Sequence, residues 1–120
     1  MNPPRLWVLT GERGAGKTRF CRALAEQARF ASWQVAGLVS PAVFTGLEKT
    51  GIEVQDLHSG EVRLLASKKV RPRFTLVLGE WHFDPRALEW GNTILETALS
   101  SIDRKKPIDL LIIDEIGPLE

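Results

Sequence analysis

The chain has 120 residues, 43% of them apolar and 26% charged, with a formal net charge of +1. Those proportions fit one globular, soluble domain rather than a disordered segment, and the scattered basic residues argue against a nucleic-acid or anionic-membrane surface. The single cysteine, Cys21, excludes an internal disulfide framework and a multi-thiolate metal centre and fits a reducing, cytosolic compartment. Met1 to Arg5 has no signal-type apolar core, and no stretch approaches the roughly 18 apolar residues of a membrane span.

Leu6-Trp7-Val8-Leu9, entered through Pro3-Pro4 and left through Gly11, has the continuous apolar character of a strand buried on both faces of a sheet. From Thr18 to about Ala31, Phe20, Leu24, Ala28 and Ala31 recur at helical spacing, while Arg19, Arg22, Glu26 and Arg29 form a separate charged stripe. This predicts an amphipathic helix with Cys21 as small apolar filler. Val35 to Val39, ending at Pro41, predicts a second strand, and Val43 to Leu65, punctuated by Gly46, Gly51 and Gly60, predicts antiparallel hairpins.

Phe74 to Phe83 holds the apolar run Leu76-Val77-Leu78, after which Asp84 and Pro85 supply a helix N-cap and a favoured first helical residue. The helix that follows is expected to bury Leu88, Leu95, Ala98 and Ile102 and to end in the favourable charges Arg104-Lys105-Lys106 before the breaker Pro107. Ile108 to Ile113, interrupted only by Asp109, predicts an apolar strand running into Asp114 and Glu115.

Gly11-Glu12-Arg13-Gly14-Ala15-Gly16-Lys17-Thr18 satisfies the G-x-x-x-x-G-K-[ST] pattern of a phosphate-binding P-loop, between a predicted strand and a predicted helix as that motif requires. Gly11, Gly14 and Gly16 give the loop the freedom to wrap a phosphate with backbone N–H groups pointing inward. The amides from Gly14 to Thr18 lie at the positive end of a helix dipole, Lys17 adds a cation for the β- and γ-phosphates, and the Thr18 hydroxyl suits a Mg²⁺ ligand. Asp114, at the end of an apolar strand, is the expected second metal-site residue, and Glu115 has the chemistry to orient or deprotonate an attacking water.

Other residues are weaker candidates. Arg13 has the charge to touch phosphate, but an arginine at that loop position more often simply faces solvent. His58 and His82 lack metal-ligand spacing, Trp7 and Trp90 read as core, and Trp33 and Trp81 stay open between packing and base stacking.

Together, the loop, Gly37-Leu38-Val39-Ser40-Pro41, the segment Gly51-Ile52-Glu53-Val54 with Asp56-Leu57, and Asp114-Glu115-Ile116-Gly117-Pro118-Leu119-Glu120 resemble the small nucleoside-triphosphatases first known from thermophiles. The resemblance implies a RecA-like α/β fold, Mg²⁺-dependent hydrolysis of ATP, GTP and other nucleoside triphosphates, and a catalytic role for Glu115 beside Lys17. The expected architecture is a three-layer P-loop sandwich over residues 1–120, with a mostly parallel sheet and an antiparallel hairpin insertion. Members of that family continue past the carboxylates, so the chain reads as an N-terminal part of a longer domain, its core completed by further residues or a partner chain. Two other functions use the same loop: a small-molecule or nucleotide kinase handing the γ-phosphate to an acceptor hydroxyl, and a nucleotide-dependent binding module that needs a partner.

Overall fold

The computed structural model describes residues 5–6, 17–101 and 108–114. The elements run β1 (Arg5–Leu6), α1 (Lys17–Phe30), β2 (Val35–Val39), β3 (Ala42–Thr45), β4 (Glu48–Asp56), β5 (Val62–Ser67), β6 (Leu76–Leu78), β7 (Trp81–Phe83), α2 (Pro85–Ser101) and β8 (Leu110–Ile113). The expected strand over Leu6–Leu9 is described only where it overlaps β1, and Ile102 with the Arg104-Lys105-Lys106-Pro107 helix end lies outside the described residues.

The protein is α/β, as expected, but its sheet is not mostly parallel. Among the described residues eight strands form one sheet, in the order β1-β8-β2-β4-β5-β7-β6 with β3 also on β4. Among the described residues, β8 is parallel to β1 and to β2, and every other pairing is antiparallel. The short connections after Pro41 explain this, because a parallel pair needs a long crossover whereas a few residues suffice to turn a hairpin. Nor are the hairpins an appendage. Leu38 and Val39 of β2 pair with Asp56 and Gln55 of β4, so the hairpins extend the sheet. The chain bends at Ser40-Pro41, and β3 takes the next stretch of the same β4 edge, the junction held by Glu53 N–H on the Pro41 carbonyl at 2.8 Å.

The two helices cover opposite faces around β2 and β8. Val35, Val39, Leu110 and Ile112 pack with Cys21, Ala25 and Ala28 of α1, while Ala36 and Leu111 pack with Ala98 of α2. That alternation is the period-2 geometry of a strand, and it accounts for the burial of all five β2 residues. Full burial of one Leu or Ile here contributes about 1.5–3 kcal/mol.

The expected face of α1 is corrected. Of the four expected residues Ala28 is buried, in a row completed by Cys21 and Ala25, whereas Phe20 is 55% exposed and Leu24 and Ala31 are exposed. Small side chains let the helix lie close on β2 and β8, and bulk at those positions would hold it off. The helix stops at Ser32, whose φ of 64° is left-handed. Trp33 N–H donates to the Ala28 carbonyl and Ser32 N–H to the Arg29 carbonyl, each at 2.9 Å, which is a Schellman closure.

Helix α2 begins as the sequence predicts. Asp84 Oδ1 accepts from Arg86 N–H at 3.0 Å, and Pro85 opens the first turn. Its most buried row is Ala87, Gly91 and Ala98, with Leu88, Trp90, Ile94 and Leu95 packed at the margin of the cluster containing Leu38, Ile52, Val54, Leu65, Trp81 and Phe83. Leu88 and Leu95 thus reach the core without being at its centre.

Two glycines measure how close neighbouring elements sit, one between strands and one between helix and sheet. A Cβ on Gly37, whose φ is +119°, would stand 1.8 Å from the Ile112 carbonyl oxygen, whereas one on Gly91 would meet Leu38 Cδ1 at 3.6 Å, an ordinary contact. Gly37→Ala should therefore lower stability by roughly 3 kcal/mol or more. Gly91→Ala, inside a helix, should raise it by roughly 0.5–1 kcal/mol. Urea unfolding of both variants checks the pair, and equal effects would contradict this account of the packing.

Candidate functional site

Three segments converge where β8 ends. Thr18 Oγ1 donates to Asp114 Oδ2 at 2.5 Å, linking the first turn of α1 to the strand end across 96 positions. The same oxygen accepts Ser40 N–H at 3.1 Å, and Asp114 N–H donates to the Leu38 carbonyl at 3.0 Å. All three side chains are partly buried, so these bonds are less exposed to competition from water than surface ones.

The local folding reasons are plain. Thr18 continues the helical row Cys21, Ala25, Ala28 that faces β2 and β8, so its hydroxyl is aimed at the strand ends by the packing that buries that row. Asp114 is set by the parallel register of β8 on β2, which pairs Val35 with Leu110 and Leu38 with Ile113. At the opposite end of the same pair, Asp109 Oδ2 accepts Gln34 N–H at 2.8 Å and Asp109 N–H donates to the Gln34 carbonyl at 2.9 Å. The acidic interruption in an otherwise apolar strand is thus a clamp on the start of β2.

Of the residues expected at the site, the structure brings Thr18 and Asp114 together and puts Lys17 next to Thr18 in the first turn of α1. Gly11, Glu12, Arg13, Gly14, Ala15, Gly16 and Glu115 lie outside the described residues. Thr18 and Asp114 offer adjacent hard oxygen donors, the chemistry that suits Mg²⁺. Sequence reasoning missed the Ser40 amide as a partner of Asp114. Its signal was Ser40-Pro41, which ends a strand parallel to β8 at the level of Asp114.

The remaining candidates fall elsewhere. His58 is exposed in a turn where its N–H meets Asp56 Oδ1 at 2.9 Å, and His82 sits on β7 opposite Val77. Among the described residues no three His, Cys, Asp or Glu side chains gather as a metal set. Trp81 is a core residue, Trp90 lies under the Arg63 guanidinium at 4.2 Å from its ring centroid, and Trp33 is exposed; the side chain of Trp7 lies outside the described residues.

With this geometry in place, comparison with known proteins is direct. The model of the family described as NTPase matches residues 7–120, and the chain belongs to that family. It is similar to the nucleoside-triphosphatase THEP1 of Methanopyrus kandleri, 33% identical over 120 residues that make up 98% of this chain and 60% of the relative. It is also similar to the nucleoside-triphosphatase THEP1 of Pyrococcus abyssi, 30% identical over 95% of this chain and 59% of the relative. A third such protein, from Methanothermobacter thermautotrophicus, is 32% identical over 94% of the chain and 60% of the relative. The chain therefore spans about 60% of the length of these curated relatives. No solved structure matches it. Among the described residues no helix is long and apolar enough to cross a membrane.

Cys21 lies beneath the site. Burial pushes its thiol above the ordinary value of 9.0, the Asp114 carboxylate pushes it further the same way, and Lys17 opposes both. Below 9.0 both the folded and unfolded chains hold the proton. Above it the unfolded chain ionises first, so this group's contribution to stability falls as pH rises towards the folded-state value. The native thiol should resist iodoacetamide at pH 8 and react on unfolding. The stability difference between wild type and Cys21→Ala should shrink above pH 9, as read by urea unfolding across pH 7 to 10. Fast alkylation of the folded chain would contradict the burial.

Proposed function

We propose that this chain carries the nucleotide site of a Mg²⁺-dependent nucleoside-triphosphatase, built on a P-loop three-layer α/β sandwich. The observation that carries the reading is the Thr18 to Asp114 bond, because it joins the end of the glycine-loop motif to the acidic end of a neighbouring parallel strand. The relatives' name, nucleoside-triphosphatase, supports hydrolysis over transfer to an acceptor.

In this reading the amides of Gly14 to Thr18 bind the phosphates at the α1 N-terminus, and Lys17 neutralises charge on the β- and γ-phosphates. Thr18 and Asp114 would hold Mg²⁺, which when bound supplies charge compensation across the two terminal phosphates. The Ser40 amide fixes the Asp114 carboxylate by occupying one of its oxygens. Glu115, one residue beyond, would accept the proton that the attacking water loses, so that water's oxygen attacks phosphorus and the diphosphate leaves.

Phosphate release from MgATP and MgGTP tests the reading. Glu115→Gln should lower kcat by about 10²–10⁴-fold while nucleotide binding changes little. Lys17→Ala should weaken binding and turnover together, and Asp114→Asn should raise the Mg²⁺ concentration needed for half-maximal rate. Turnover indifferent to Glu115→Gln would remove that residue as the base. Diphosphate formation that requires an added hydroxyl acceptor would replace hydrolase with kinase.

A further inference from the structure

Among the described residues strand β6 ends the sheet, and its outer edge pairs with no other strand. Leu76, Val77 and Leu78 are 46%, 54% and 47% exposed, an apolar edge with no proline, lysine or bulge among its three residues to blunt it. The strand is short, which limits pairing, but its side chains carry no charge of the kind that keeps an edge from accepting another strand. The tight turn Gly79-Glu80, with Gly79 at φ 58°, joins β6 to β7 and pairs Leu78 with Trp81. A two-residue turn makes that closing pair the mutually hydrogen-bonded one, and hydrogen-bonded pairs alternate along an antiparallel ladder. The N–H and C=O of Val77 therefore point away from β7, to the open edge.

We propose that β6 docks a second copy of this chain, edge to edge and antiparallel, about a two-fold axis through Val77. In that register each Val77 answers the other's N–H and C=O, Thr75 faces Gly79 of the second copy, and Leu76 faces Leu78. The charges agree: Arg71 and Arg73, both exposed, lie before β6, and Glu80, 78% exposed on its side chain, lies after it. Antiparallel pairing carries the arginine end of each copy to the glutamate end of the other, whereas parallel pairing would set like charges together. Glu80 is 3.9 Å from Lys68 within its own copy, a long and exposed contact that leaves room for an arginine from the second. The two-fold arrangement closes on itself, because each edge is used once.

Sedimentation velocity of the chain from about 1 to 500 µM, the range of weak interfaces, reads the outcome. A reversible monomer–dimer equilibrium is expected. Val77→Pro removes the central outward donor while sparing the ladder to β7, and should raise the dissociation constant about tenfold or more. Val77→Lys, which leaves the backbone donor in place, serves as the second variant should Val77→Pro disturb the hairpin by circular dichroism. Glu80→Arg should weaken the dimer, and adding Arg73→Glu to it should restore much of the loss. A monomer at every concentration, a dimer unmoved by the Val77 and Glu80 variants, or growth beyond the dimer would each overturn the proposal.

Discussion

The arrangement of this protein depends on one carboxylate oxygen. Asp114 Oδ2 receives a hydroxyl from the first turn of α1 and an amide from the end of β2, so a single acceptor gathers three segments distant in sequence. That requires β8 to lie beside β2, parallel to it, and to end at the same level. Both conditions are set along the strand pair, by the Asp109 clamp on Gln34 at the strand starts and by the absence of a side chain at Gly37 beside Ile112. A slip of one residue between the strands would carry Asp114 about 3.3 Å along and turn its side chain to the other face.

Much of this was legible in the sequence because local chemistry determines it. The helix after the glycine motif, Asp84-Pro85 at the start of α2, the hairpin glycines at 46 and 60 and the apolar run into Asp114 all state a conformation within a few residues. The helix face and the sense of the sheet were not legible. Phe20 and Leu24 have the greater hydrophobicity, but which face of α1 is inward depends on how near the strands lie, and only the small row Cys21, Ala25, Ala28 permits that approach. The mixed sheet was missed because β4 is long enough to take β2 at one end and β3 at the other, a fact of pairing that no local pattern contains.

The corrected face bears on function. A helix packed through Phe20, Leu24, Ala28 and Ala31 would bring Lys17 into the inward row and turn Thr18 aside, since neighbours in a helix differ by about 100° around its axis. Packing through Cys21, Ala25 and Ala28 puts Thr18 in that row. The fit that buries a thiol is thus the fit that delivers a hydroxyl to Asp114, and the raised thiol pKa and the short Thr18 contact are two readings of one close approach.

The antiparallel half of the sheet gives the site rigidity more than chemistry. Strand β2 is held by β8 on one edge and by β4 on the other, with Leu57 N–H on the Gly37 carbonyl at 2.9 Å as a further tie. Beyond its last residue the chain bends at Pro41, whose ring keeps Ser40 in extended backbone, and Glu53 N–H on the Pro41 carbonyl fixes the bend. An amide at the loose end of a strand would make a weak, fluctuating donor. Fastened on three sides, the Ser40 amide holds a partly buried carboxylate in one orientation, as the proposed Mg²⁺ site would require. The hairpins that break the parallel pattern therefore serve the acidic strand end, since they hold β2 and the Ser40-Pro41 bend in place beside it.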